Sequence, residues 1–170
     1  MTPLPASLDQ LVVWRLERTI YVPTWQQGEG SFQVGGRWSP PGKRVIYTSL
    51  DPATTILEVA VHKGFDVLDT VPHSLLQIAL DGSGVRVVDP GDVPNPNWLR
   101  PGTVSAGQQA FGAALLAKHP VVLIPSVVST HSWNVLFESG SLATRLRSAS
   151  HERFGLDQRL TPGARPPPPP

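Results

Sequence analysis

Hydrophobic runs of strand length recur along the chain, separated by glycine, proline and polar residues. Runs of this length that are rich in β-branched residues are typical of buried strands. The predicted strands are LVVWRL (11–16), KRVIYTSL (43–50), SLLQIAL (74–80), VRVVD (85–89), PVVLIPSVV (120–128) and NVLFES (134–139). Because GSG lies between the third and fourth runs, we expect those two strands to pair through a tight connection.

One segment carries helix signals at both ends, DPATTILEVAVHKG (51–64). Asp51 is a favourable N-cap, Pro52 suits the first helical position and Gly64 suits the C-terminal cap. The segment therefore predicts a helix of about three turns over residues 52–63.

A second helix is predicted over AGQQAFGAALLAKH (106–119), where Ser105 and Gln108 have the spacing of a capping box. Helices and strands are mixed along the chain without regular βαβ alternation. We therefore expect an α+β fold, a single domain with a mixed β-sheet core and flanking helices, rather than a doubly wound sheet.

Length and composition limit the class of protein. The 170 residues suffice for one domain with a sizeable core, which we place at residues 1–160. The Pro-rich segment 161–170 is expected to be an extended, disordered tail. The formal net charge of +1 gives no broad electrostatic footprint for nucleic acid, and the absence of cysteine excludes disulfides and thiolate metal sites.

Several familiar signals are absent from the sequence. The N-terminus has no basic region followed by an apolar run, and no apolar stretch approaches the roughly 18 residues of a membrane span, so we expect a soluble cytoplasmic protein. The five histidines are scattered without zinc-ligand spacing, and we predict no metal site. No GxxxxGKS/T phosphate loop, complete GxGxxG fingerprint, HExxH or GxSxG motif occurs.

The loop GGRWSPPG (35–42) is the most distinctive stretch of the sequence. Gly35 and Gly36 allow backbone angles and a close ligand approach that other residues prevent. Arg37 keeps its charge at any working pH and its planar fork matches a phosphate or carboxylate, while Trp38 can wall a pocket or stack on a flat ring. The alternative is an ordinary turn in which Arg37 is solvated and Trp38 covers the core.

Two further charged residues stand among apolar neighbours. Arg15 lies within VVWRL and shares a strand face with Val13, so it is either a solvated side chain or a second anion-binding group. Glu58 lies in the predicted helix on one stripe with Thr55 and His62. That stripe is either the solvated side of the helix or a face that points a carboxylate into a cleft, where it can steady positive charge developing on a ribose ring.

Three uncharged polar residues complete the candidate set. Ser126 follows Pro125, which cannot donate to a sheet ladder, so the serine hydroxyl is either satisfied by backbone groups or aimed at a ligand. Asn134 can fix an amide or a hydroxyl, and Tyr47 can offer a ring face or a phenol.

Taken in order, several pieces of the chain form a series. They are WR (14–15), GxGS (28–31), GGRWSPPGKRVIYTS (35–49), ILEVAVH (56–62), IPSVV (124–128), NVLF (134–137) and DQRL (157–160). This series resembles the RES-domain toxins, a family named for its arginine, glutamate and serine. The resemblance extends over residues 11–160 and is most specific between GGRW and the glutamate of the predicted helix.

The resemblance implies a fold similar to that of ADP-ribosyltransferases and a toxin that depletes NAD⁺ by cleaving its nicotinamide–ribose bond, through hydrolysis or phosphorolysis. NAD⁺ is then a substrate, and no cofactor is expected. The implied partner is an Xre-like helical antitoxin, with inorganic phosphate or a protein as further acceptors and with no direct contact to nucleic acid or membrane. The alternatives are a mono-ADP-ribosyltransferase that modifies a cellular protein and a non-catalytic nucleotide-binding or interaction module.

The resemblance also implies roles for single residues. Glu58 is the implied catalytic carboxylate, assisted by Arg37 and Ser126. Arg15 and Arg37 would bind the pyrophosphate of NAD⁺, and Tyr47 would stack on or orient its nicotinamide ribose. The implied substrate-binding residues are Arg15, Arg37, Tyr47, Ser126 and Asn134.

The chain departs from the family pattern at one place. Family members often continue from NxL into NPxH, whereas this chain has NVLFESGS, with Glu138, Ser139 and Ser141 at the polar and histidine positions. We expect this difference to bear on the acceptor of the ribosyl group, and it need not abolish cleavage of the bond.

Overall fold

A single mixed sheet organises the part of the chain that the computed structural model describes, residues 1–100, 102 and 104–160. Its seven strands in this part are β1 (Gln10–Arg18), β2 (Val45–Ser49), β3 (His73–Asp81), β4 (Arg86–Val87), β5 (Val121–Pro125), β6 (Trp133–Glu138) and β7 (Leu146–Phe154). The α-helices are α1 (Glu29–Val34), α2 (Pro52–Lys63), α3 (Phe65–Thr70), α4 (Ala106–Leu116) and α5 (Leu142–Arg145). The α+β prediction is confirmed, and the predicted tail, 161–170, lies outside the described residues.

The sheet is curled. Its strand order is β4-β5-β6-β2-β1-β3-β7, with antiparallel neighbours except for the parallel pair β4–β5. In a flat sheet this order would put β3 and β4 about 24 Å apart, because each strand spacing is about 4.8 Å. The link from Asp81 to Arg86 spans at most about 18 Å, so the two ends of the sheet must approach each other.

The main hydrophobic core lies on the face that this curl encloses. Strands from both halves of the sheet contribute buried side chains to one cluster, which includes Leu11, Val13, Ile46, Ile78, Leu80, Val121, Leu123, Val135 and Phe137. Burial of this apolar area is the dominant favourable term for the fold.

The helices α2 and α4 cover the other face of the sheet. Leu16 of β1 packs with Ala60 of α2, and Ile124 of β5 packs in a cluster with Leu116 of α4. Because side chains alternate along a strand, β1 presents Val13 to the enclosed face and Leu16 to α2. By the same alternation, Tyr47 of β2 and Asn134 of β6 lie on the helix-covered face.

Local capping signals set the limits of both predicted helices. The Asp51 side chain accepts a hydrogen bond from the Thr54 backbone N–H, and α2 spans residues 52–63 as predicted. The Ser105–Gln108 capping box is present at the start of α4. The helix α4 ends at Leu116, three residues before the predicted end, because the residue before Pro120 disfavours helical geometry and the chain must turn into β5.

Two strand predictions need correction. VRVVD does not form a hairpin with β3, because β4 lies at the opposite edge of the sheet and pairs in parallel with β5. Burial decides this pairing, since Val87 packs against the enclosed core and Val88 is buried on the helix-covered face. The strand β7 was not predicted at all. No helix in the described residues is long and apolar enough to cross a membrane.

Candidate active site

A carboxylate held by two neutral donors forms the centre of the candidate site. The Ser126 hydroxyl donates to Glu58 Oε1 at 2.8 Å, and the Asn134 side-chain amide donates to the same oxygen at 2.6 Å. Glu58 is half-buried on α2, while Ser126 and Asn134 are buried. Three of the predicted site residues, far apart in the sequence, therefore meet in one hydrogen-bonded group.

The first turn of α2 fixes the position of Glu58. The Asp51 carboxylate caps this turn by accepting from the Thr54 N–H at 2.8 Å. One residue later, the Thr55 hydroxyl donates to the Trp14 backbone carbonyl at 2.9 Å and ties the helix to β1. Because Glu58 follows Thr55 by three residues, the two side chains lie on the same side of the helix. The helix stripe that carries Thr55 and Glu58 therefore faces the sheet at Thr55, and it is not solvated at that position.

Backbone groups orient the Ser126 hydroxyl. The Ser126 side chain is fully buried just after β5 ends at Pro125. Its oxygen accepts from the N–H groups of Val128, at 3.2 Å, and Ser129, at 2.9 Å. With both lone pairs engaged, the single hydroxyl proton is directed to Glu58. The first sequence interpretation is therefore right for the oxygen, which backbone groups satisfy, while a contact between Ser126 and a ligand stays a prediction.

Asn134 is in turn held by Ser49, a residue that sequence reasoning missed. The Ser49 hydroxyl donates to Asn134 Oδ1 at 2.9 Å, and Ser49 is 2% exposed. These two residues are direct partners in the antiparallel pairing of β2 and β6. No local sequence signal indicates a role for Ser49, because the residue that it binds lies 85 positions away in the sequence.

Tyr47 links the site to the loop 35–42. Its phenol oxygen accepts from the Trp38 N–H at 3.2 Å and shares a hydrogen bond with the Ser39 hydroxyl at 2.8 Å. Burial is the main cause that raises the pKa of Tyr47, and the negative charge of Glu58 raises it further. The phenol is therefore neutral at physiological pH. Tyr47 lies two residues before Ser49 on β2, so the two side chains share one face of the sheet.

The GGRWSPPG segment forms the loop that its glycines and prolines predict. Gly35 and Gly42 adopt positive φ angles of 71° and 88°, which other residues rarely accept. Trp38 is 1% exposed and packs against Trp98, with ring centroids 5.9 Å apart. Of the two interpretations of Trp38, core covering is therefore right, and the ring does not wall an open pocket.

Arg37 lies between these anchored neighbours without a bonding partner of its own. It is half-buried, and no hydrogen bond or ion pair to its guanidinium occurs within the described part of the chain. A guanidinium in this state offers all its N–H groups to an external anion.

Arg15 stands apart from the carboxylate group. Alternation along β1 places it on the enclosed face with Val13, opposite the face that α2 covers. Its guanidinium donates to the Tyr47 backbone carbonyl at 2.9 Å and pairs with Glu17 through Nε at 3.1 Å. Among the described residues, β1 and β2 share only the pair Trp14↔Ser49, so Arg15 bridges the two strands where their ladder stops. In the described part of the chain, Arg15 is bonded to Glu17 and to the Tyr47 backbone, with no hydrogen bond or ion pair to Glu58.

The segment that departs from the family pattern lies away from the carboxylate. Glu138 pairs with Val45 at the far end of β6, and the Ser139 hydroxyl donates to the Gln26 carbonyl at 2.5 Å. Four residues separate Glu138 from Asn134, which is about 13 Å along a strand. Glu138 and Ser139 therefore do not adjoin the carboxylate group, and the expected effect of the segment on the acceptor of the ribosyl group stays a prediction.

Comparison with known proteins gives the same family as the sequence motifs. The RES domain family model matches residues 12–157, which is most of the chain. The chain belongs to the RES domain family. It is 26% identical over 153 residues to a Toxin Res of Photorhabdus laumondii, covering 88% of this chain and 97% of that protein. It is 27% identical over 157 residues to a Toxin Res of Pseudomonas putida, covering 88% and 99% respectively.

A solved structure supports the fold of this RES-domain protein. The chain resembles the crystal structure of the M. tuberculosis MbcT–MbcA toxin–antitoxin complex with a TM-score of 0.67, over 84% of each chain, at 18% identity. At this identity the likeness speaks for the fold alone. It agrees with the α+β architecture built from the residues.

Proposed function

We propose that this RES-domain protein is the toxin of a toxin–antitoxin pair and that it depletes NAD⁺ by cleaving the nicotinamide–ribose bond. The observation that carries the proposal is the Glu58 carboxylate, whose Oε1 is fixed by Ser126 and Asn134. Its Oε2 has no hydrogen-bond partner and Glu58 has no ion-pair partner in the described residues. The hydrogen bonds to Oε1 fix the orientation of the carboxylate, and Oε2 is available to a substrate.

This arrangement matches the chemistry of the bond. When the bond between ribose C1′ and the nicotinamide nitrogen breaks, its electron pair leaves with nicotinamide, which becomes neutral, and positive charge develops on the ribose ring. A fixed carboxylate beside the ring stabilises that charge in the transition state. Water then adds to C1′ and loses a proton, giving ADP-ribose, or phosphate adds to give phosphorylated ADP-ribose.

The anion-binding side of the proposal rests on Arg37 and Arg15. Arg37 carries a half-buried guanidinium with no partner in the part of the chain that the structure describes. Its loop is anchored by Tyr47, which shares a face of β2 with Ser49. Arg15 uses three of its N–H groups on Glu17 and Tyr47, which leaves two of the five for a phosphate oxygen. We assign the pyrophosphate of NAD⁺ chiefly to Arg37, because no carboxylate among the described residues compensates its charge. Arg15 lies on the other face of β1 and would reach the pyrophosphate only through the gap where the β1–β2 ladder stops.

The proposed partner is an Xre-like helical antitoxin. Two curated relatives carry the name Toxin Res, and the similar solved structure is a toxin–antitoxin complex. Arrest of growth on expression of the chain, relieved by co-expression of the protein encoded beside it, is the expected behaviour of such a pair.

Product analysis tests the reaction. The purified protein is incubated with NAD⁺, with and without inorganic phosphate, and products are separated by chromatography. Free nicotinamide with ADP-ribose establishes hydrolysis, and phosphorylated ADP-ribose that forms only with phosphate establishes phosphorolysis. ADP-ribose attached to protein would replace the proposal by mono-ADP-ribosylation, and no nicotinamide release would leave a nucleotide-binding or interaction module.

A further inference from the structure

We propose that Ser49 is a positioning residue, which holds the Asn134 amide in the one orientation that donates to Glu58. The inference rests on the proposed function, because it assigns Ser49 to the support of the catalytic carboxylate. Ser49 would act on the position of the Glu58 carboxylate through Asn134, and not through a contact of its own with the substrate.

The three side chains form a continuous hydrogen-bonded line. The Ser49 hydroxyl donates to Asn134 Oδ1 at 2.9 Å, and Asn134 Nδ2 donates to Glu58 Oε1 at 2.6 Å. Ser49 and Asn134 are 2% and 8% exposed, so water has little access to either end of the Asn134 amide. A buried amide without a protein partner at its oxygen would bear an uncompensated desolvation cost.

The orientation of the Asn134 amide matters because an amide can rotate by half a turn with almost no change in shape. In the rotated state, the amide oxygen would face the negatively charged Glu58 Oε1 at the present 2.6 Å contact. The Ser49 hydroxyl proton would lose its acceptor at the same time. The observed orientation satisfies both contacts: the acceptor-only Glu58 carboxylate selects it, and the Ser49 hydroxyl fixes it by donating its proton to Oδ1.

The backbone holds Ser49 from both sides. On β2 it is the direct partner of Asn134 on β6 and of Trp14 on β1. The backbone position of the Ser49 side chain is therefore constrained. A residue that orients a catalytic group needs such a constraint.

The neighbouring residue Thr48 provides a matched control. It is also buried, at 4% exposure, and its hydroxyl donates to the Val135 backbone carbonyl at 2.8 Å. Alternation places its side chain on the opposite face of β2 from Ser49. Thr48→Val therefore removes a buried hydroxyl from the same strand without touching the line to Glu58.

Steady-state kinetics tests the proposal. We expect Ser49→Ala to lower kcat for NAD⁺ cleavage about tenfold, the rate equivalent of one ordinary hydrogen bond, with little change in KM. Thr48→Val should retain the wild-type kcat. In the Asn134→Ala background, Ser49→Ala should have no further effect on kcat, because the amide that it positions is gone. A wild-type kcat for Ser49→Ala, or an equal loss in both backgrounds, would overturn the proposal.

A second readout does not depend on activity. Hydrogen exchange of the Asn134 side-chain NH₂ protons is followed by NMR, and we expect slow exchange in the wild type and in Thr48→Val but fast exchange in Ser49→Ala. Equal protection in all three proteins would overturn the positioning role even if NAD⁺ is cleaved. If the wild type releases no nicotinamide, the proposed function fails, and the exchange measurement still decides whether Ser49 orients the amide.

Discussion

Glu58 is a negative charge whose bonded neighbours are neutral. Ser126 and Asn134 fix Oε1 through hydrogen bonds, and neither offsets the charge of the carboxylate. An arginine or lysine in their place would offset the charge that the proposed reaction requires beside a developing ribosyl cation, since opposite charges at contact distance interact strongly in a partly buried site. Neutral donors thus give orientation while the charge stays available to the substrate.

A second single-residue prediction concerns Arg37. Its planar guanidinium can bind a pyrophosphate with two parallel hydrogen bonds, whereas lysine offers a single point charge. We expect Arg37→Lys to raise KM for NAD⁺ about tenfold with a smaller effect on kcat, which initial-rate kinetics will measure. Arg44→Lys is the control, because Arg44 is already paired with Glu29 on the surface and should leave KM unchanged. An unchanged KM for Arg37→Lys would remove Arg37 from the binding site.

The sequence supplied candidate site residues, but it could not show which of their side chains meet. The resemblance pointed to Glu58, Ser126 and Asn134, yet these residues are 68 and 76 positions apart and meet only through the register of the sheet. Ser49 was overlooked because a serine at the end of a strand is common and its partner lies on another strand. The catalytic role of Glu58 and the contributions of the other candidates to NAD⁺ binding stay predictions.

At the scale of elements, α4 supports the arginine-bearing loop by close contact. A Cβ on Gly112 would lie 2.2 Å from the Trp38 carbonyl oxygen, and Gln109 donates to the Gly36 carbonyl at 2.9 Å. The absence of a side chain at Gly112 therefore permits α4 to lie directly against the loop.

Gly112→Ala tests this contact. Because the added methyl cannot fit without moving the loop or the helix, we expect the free energy of unfolding to fall by about 1–3 kcal/mol and NAD⁺ cleavage to weaken. Denaturant titration gives the first quantity. Gly107→Ala on the same helix is the control, since its Cβ would meet only Ser105 Oγ at 3.9 Å and alanine favours helix. Equal stability of the two variants would contradict the packing argument.

Elements with local signals were predicted well, and those with long-range causes were not. Asp51, Pro52 and Gly64 specify the limits of α2 within the segment itself. The GSG turn signal before β4 was overridden by burial against β5, as happens when tertiary packing competes with turn chemistry. The strand β7 (LRSASHERF) is exposed along most of its length, so it carries no apolar alternation that would indicate a strand.

At the scale of the whole molecule, one buried histidine connects stability to pH. His73 is 1% exposed, and its Nδ1 lies 2.6 Å from the Val71 carbonyl oxygen. Burial is the main cause that lowers the pKa of His73 below 6.5, and the positive charges of Lys63 and Arg18 lower it further. The folded chain therefore binds a proton at this site less readily than the unfolded chain does.

The sign of the pH effect follows from this difference. Below about pH 6.5 the unfolded chain takes up the proton first, so the free energy of unfolding should fall as the pH decreases through that value. Above pH 6.5 the contribution of His73 is constant. Urea titrations between pH 5 and 8 should show a weaker decline for His73→Phe than for the wild type. Parallel curves would show that another group governs the pH dependence.

The fold class of the whole molecule could be predicted from the sequence, but the curvature of its sheet could not. The mixture of strands and helices indicated α+β, and the RES resemblance agrees with the family match over residues 12–157. The curl of the sheet could not be read from the sequence, because it follows from a short link between strands that the local pattern placed side by side.

The most direct measurement compares nicotinamide release by the wild type, Glu58→Gln and Glu152→Gln. Glu152 is an exposed carboxylate on β7, so it controls for the loss of one negative charge. Removing an electrostatic group at such a centre costs about 10²–10³ in rate, and we predict that loss for Glu58→Gln alone. A Glu58→Gln protein that releases nicotinamide from NAD⁺ at the wild-type rate would contradict the account.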